Sequence, residues 1–123
     1  MKKLALVVGL AVSLIATGVQ AMTVQEFLTT AAGIPRNPTA MLRSDTRRLM
    51  NEVKGAFATL KRENDAARAA GRTPAYCPPE GTRVSISPDT LLARLNSIPA
   101  ARRNISVTQA MREWMVERYP CPR

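Results

Sequence analysis

The 123-residue chain has no histidine and only two cysteines, Cys77 and Cys121. Without an imidazole, no ready general base stands beside a serine or cysteine nucleophile. A zinc set of the usual composition is excluded too, as is a side chain that changes charge near neutral pH. Aromatic residues are few, one Trp, two Tyr and two Phe. The lone Trp114 falls at helical spacing with Met111 and Met115, which assigns it to the core rather than to a binding anchor. No Gly-rich phosphate loop, metal motif, cofactor box, internal repeat or low-complexity tract occurs. Glu80, Asp89, Glu113 and Glu117 are the carboxylates to weigh for acid–base work, but nothing in their spacing makes them converge. Glu113 and Glu117 lie on one helix face, where a solvated surface is the ordinary outcome. The sequence therefore assigns no catalytic residue, no cofactor and no metal ligand, and the reading is a non-enzyme.

What is present begins with a three-part leader. Met1-Lys2-Lys3 supplies positive charge, and Leu4 to Ala16 is an apolar run shorter than the roughly 20 residues a spanning helix needs. Val19 and Ala21 then place small residues at the −3 and −1 positions of a cleavage site. The expectation is a signal peptide over residues 1–21 and a single helical domain over 22–123. The competing reading is an uncleaved membrane anchor. No cysteine follows the apolar run, which argues against a lipoprotein. A periplasmic or secreted location is expected, with no stable membrane insertion after cleavage.

Loss of Lys2 and Lys3 lowers the net charge from +9 to +7. Such a balance suits an acidic protein, anionic lipid, cell-wall polymer or nucleic acid, and export places nucleic acid last. A solvated basic surface with no specific partner is the competing reading. In an oxidising compartment two cysteines pair. A Cys77–Cys121 bridge encloses about 45 residues and is worth about 4 kcal/mol in the chain-entropy model, a large share of a total of about 5–15 kcal/mol.

Helix punctuation is dense. Thr23-Val24-Gln25-Glu26 is a capping-box pattern, and Val24, Phe27, Leu28 and Ala31 follow at helical spacing. Gly33 fits a left-handed stop, with Ile34 packing back before Pro35. Pro38 suits the first position of a short helical turn through Met41 and Leu42. Ser44 or Asp45 is the expected cap of the longest helix, whose apolar stripe is Leu49, Val53, Phe57 and Leu60 and which Gly71 ends. Its Ala-rich far half is weakly apolar, suited to projecting past the core or to being covered by a partner. Pro74, Pro78 and Pro79 make residues 72–87 a loop, with a turn at Glu80-Gly81 and a short extended piece from Arg83 to Ile86 that has no strand to pair with. Ser87-Pro88-Asp89 opens a third helix with Leu91, Leu92, Leu95 and Ile98 on its apolar face. Pro99 to Asn104 is a basic connection, and Ser106-Val107-Thr108-Gln109 is a second capping box, with Ile105 placed to staple onto Ala110. The fold class is all-α, a small bundle of about four helices closed by one disulfide.

The stretch from Tyr76 to Cys121 carries a resemblance. Tyr76-Cys77-Pro78-Pro79-Glu80-Gly81 precedes a helix bearing Leu91, Leu92 and Leu95. Pro99-Ala100-Ala101-Arg102 and a last helix ending Tyr119-Pro120-Cys121 follow. This order is similar to the Rap/Tai family of small periplasmic immunity proteins. The resemblance implies a secreted, all-helical, disulfide-bonded and often dimeric protein that neutralises a cell-wall amidase toxin delivered by type VI secretion by covering its cleft. It carries over Cys77 and Cys121 as the disulfide and transfers no toxin-contacting residue. The N-terminal half, Met22 to Gly71, has no motif of the family and lacks the further cysteines many members carry there. The leading expectation is thus an inhibitor of a toxin or hydrolase acting by occlusion, with Glu80, Arg83, Arg102 and Arg103 as candidate partner-binding residues. A small periplasmic stress protein or chaperone and a basic envelope-surface binder are the alternatives.

Overall fold

The computed structural model describes residues 21–81 and 84–122. The leader ahead of Ala21 and Arg83 of the extended piece lie outside the described residues. Four α-helices carry the fold: α1 (Val24–Ala32), α2 (Ser44–Ala69), α3 (Pro88–Asn96) and α4 (Val107–Arg118). Short 3₁₀ turns at Pro38–Leu42 and Ala100–Arg102 lie between them, and there is no strand among the described residues. The all-α bundle closed by one disulfide is as the residues indicate.

The helix starts follow from local chemistry. The Thr23 hydroxyl accepts from the Glu26 N–H at 3.1 Å, Ser87 from Thr90 at 3.2 Å, and Ser106 from Gln109 at 3.0 Å. Each satisfies one N–H that the first turn leaves without a partner. Asn37 does the same for the Pro38–Leu42 turn through the Thr39 N–H. In both capping boxes only the forward half is seen among the described residues: neither Glu26 nor Gln109 returns a bond to its cap's N–H, and the Gln109 side chain accepts from Arg112.

Two expectations about helix ends need correction. Gly33 is not left-handed: its φ is −84°. The end of α1 tightens instead, with Gly33 donating to the Thr30 carbonyl and Ile34 to that of Ala31, so no positive φ is required. Neither Ser44 nor Asp45 caps α2. Arg43 occupies that position without a side-chain bond, Ser44 is already helical, and Asp45 sits in the first turn beside the Arg43 guanidinium at 3.3 Å. The other end is as expected. Gly71 has φ +72°, its N–H reaches the Arg68 carbonyl, and the Arg72 N–H reaches that of Ala67 at 2.8 Å, a Schellman closure.

One core joins the helices. Val24, Leu60, Leu95, Val107, Met111 and Met115 are fully buried, and Phe27, Trp114 and Tyr76 complete the packing. α2 packs chiefly on α4, and α1 packs on α2, α3 and α4. The two capped starts at Thr23 and Ser106 are joined by an isolated antiparallel bridge. Around it, Val24 donates to the Ile105 carbonyl and Val107 to that of Met22, both at 2.9 Å. Met22, the first residue after the expected cleavage site, is thereby buried.

Candidate functional site

The cysteines define the better fixed end of the molecule. Cys77 and Cys121 form a disulfide across a sequence separation of 44. The Cys77 N–H donates to the Tyr119 carbonyl at 2.8 Å, so the loop after α2 and the C-terminal tail are bound by backbone as well as by sulfur. Asn64, buried in α2, anchors the same loop. Its amide nitrogen donates to the Tyr76 carbonyl at 3.0 Å and its oxygen accepts from the Ala75 N–H at 3.2 Å. Burial pushes the Tyr76 phenol above its ordinary pKa. The loop thus leaves Tyr76-Cys77 firmly seated and presents Glu80, exposed, at a turn where Gly81 has φ +76°.

The other candidate residues are differently placed. Arg102, in the turn before α4, pairs with Glu113 at 2.8 Å. Arg103 serves the backbone: Nε donates to the Ile98 carbonyl at 2.9 Å and Nη2 to that of Asn96 at 3.1 Å. It closes the C-terminal end of α3, where unpaired carbonyls favour a cation. Arg83 is outside the described residues. No hydrogen bond or ion pair joins Glu80, Arg102 and Arg103 to one another among the described residues.

The carboxylates of α4 are also spoken for. Glu113 meets Arg102, while Glu117 meets Arg94 at 2.8 Å. The Arg94 guanidinium also lies 5.8 Å from the centre of the Trp114 ring. The Arg94 hydrogen bond and charge hold the Glu117 carboxyl below its usual range. On the opposite flank Arg112 grips Glu63 of α2 with both nitrogens of a fork, at 3.0 and 2.6 Å. No cluster of three or more Cys, Asp or Glu suited to a metal occurs among the described residues.

Two further surfaces lie apart from these candidates: the basic face of α2, which motivates the envelope-binder alternative, and an apolar groove. Arg47, Lys54, Lys61 and Arg68 recur every seventh residue of α2 and are all exposed. Seven residues advance a helix about 10.5 Å and nearly two full turns, so they form one stripe away from the core. Of the four, only Lys61 has a carboxylate partner among the described residues, Asp65 at 2.8 Å, which lowers the Asp65 pKa. The second surface is an apolar groove of about 750 Å³ between α1, α2 and α3, with the Pro38–Leu42 turn as its lip. Phe27, Ile34, Leu49, Val53 and Leu92 form much of its wall. The heptad of cations was readable in the sequence; the groove depends on how α1 spaces α2 from α3.

Among the described residues no helix is long and apolar enough to cross a membrane. No protein-family model, no curated protein and no solved structure matches the chain.

Proposed function

We propose that the chain is an exported, non-enzymatic binding protein of the Rap/Tai type that inhibits a cell-wall amidase or related toxin by occluding its cleft. The observation that carries this reading is the Ala75–Cys77 base of the loop, held by Cys77–Cys121, Asn64 and the Tyr119 carbonyl, with Glu80 exposed three residues beyond it. A loop anchored at its base loses less freedom on docking than an untethered one, which favours occlusion. The disulfide is compatible with an oxidising, extracytoplasmic location. Glu80 and Arg102 are the residues offered to the partner, while Arg103 closes the C-terminal end of α3.

The test is capture on the immobilised mature protein from envelope and secreted fractions at about 0.3 M salt, where surface electrostatics are strongly screened. A captured hydrolase is then assayed with increasing inhibitor. One stoichiometric hydrolase, silenced at equimolar inhibitor and released from inhibition by Glu80→Lys, is the expected result. Many sub-stoichiometric partners, or none, overturn it. The cation stripe of α2 favours a second reading, an envelope-surface binder, which predicts retention on anionic polymer that disappears at the same salt.

A further inference from the structure

The groove between α1, α2 and α3 has the composition of a ligand site. Its volume, about 750 Å³, lies inside the range of roughly 300–1,000 Å³ occupied by small-molecule sites. The wall is apolar along α2 from Leu49 to Val53, and Met50 on it is 41% exposed. The span from Thr46 to Lys54 along α2 is about 12 Å at the helical rise, a length suited to an extended acyl chain. Polar groups are few and lie along the groove. The Thr46 side chain lines it, and its buried Oγ1 has no hydrogen-bond partner among the described residues. Two cations, Arg36 and Lys54, stand against one carboxylate, Asp89. Arg36 and Asp89 approach only to 3.8 Å with both side chains more than 80% exposed, so their pairing is weak and readily exchanged. Lys54 has no carboxylate partner among the described residues and belongs to the basic stripe.

We infer that this groove binds a single-chain anionic amphiphile, a free fatty acid, with the acyl chain along the Leu49–Val53 face of α2 and the carboxylate at Lys54. The charge surplus at the groove selects an anionic head over a cationic one, and the apolar wall supplies the larger part of the affinity. This inference does not rest on the inhibitor reading, and either stands without the other.

The experiment is calorimetric titration of the mature protein with dodecanoate below its micelle threshold, beside dodecanol and dodecyltrimethylammonium. Expected are saturable binding of one dodecanoate per chain, weaker binding of the alcohol and weakest of the cation. Lys54→Glu should weaken dodecanoate by roughly twofold to fivefold, the scale of a partly exposed ion pair, and leave dodecanol unchanged. Met50→Asp should abolish saturable binding of both. Because Met50 is partly exposed, its circular dichroism and melting should stay close to those of the parent chain. Absence of saturable binding, equal affinity for the cationic amphiphile, or a Met50→Asp protein that binds like the parent would each overturn the inference. So would a dimer in sedimentation that dodecanoate neither dissociates nor binds, since a second copy would then fill the groove.

Discussion

Single side chains in this molecule act mainly as fasteners between elements. Arg94 is the clearest case: one guanidinium lies over Trp114 and ion-pairs with Glu117, tying α3 to the outer turns of α4. Because the folded state holds the Glu117 carboxyl below its ordinary value of 4.5, the pair contributes stability above that pH. The contribution is lost as pH falls through the folded-state pKa, where the carboxylate takes up a proton. Glu117→Gln should therefore melt slightly below the parent chain at about pH 7, with the difference shrinking at an acidic pH well below 4.5. Thermal melts at the two pH values check this, and an equal difference at both would show that the charge is irrelevant. Arg103 fastens by another route, filling the carbonyl end of α3. That role was not legible in the sequence, where Arg102-Arg103 reads as a basic turn, because the carbonyls it meets are set by the path of the chain after Asn96. Asn64 left a clue: it follows Leu60 by four residues on an apolar stripe, where a polar side chain needs partners.

At the scale of elements, the starts of α1, α3 and α4 were legible because a cap is a contact over three residues, whereas the start of α2, at Arg43 rather than Ser44 or Asp45, was not. Thr23, Ser87 and Ser106 needed only their own sequence neighbours. The ends depended on the chain beyond. Gly33 and Gly71 look alike as stops, yet only Gly71 is left-handed, since Ile34 and Pro35 carry α1 away through a tighter turn. α2 offers a paired test. Gly55 lies inside it with open space where a Cβ would stand, so Gly55→Ala should raise stability by about 0.5–1 kcal/mol through helix propensity. Gly71→Ala, with space equally open but φ +72°, should lower it by about 1 kcal/mol through backbone strain. Urea midpoints of the two variants should move in opposite directions. The groove beside α2 belongs to no single element, which is why helical periodicity puts Met50 beside the apolar stripe but does not single it or Thr46 out as a groove wall.

For the whole molecule the dominant constraint is the bond between Cys77 and Cys121, and it was legible because the expected oxidising compartment and the cysteine count together leave one pairing. Replacing both cysteines by serine should cost about 4 kcal/mol in the chain-entropy model, measured as a fall in the urea midpoint. A loss near zero would mean that the Asn64 and Tyr119 hydrogen bonds hold the loop unaided. The bond also changes what damage can do. The Gly81 turn lies inside the segment it encloses, so a protease that cuts there produces a nicked protein rather than two fragments. α1 and α2 would remain covalently attached to α4 and the C-terminal tail. Such a protein would run as one species until a reductant was added and as two afterwards. A single cut at this exposed turn is thereby survivable.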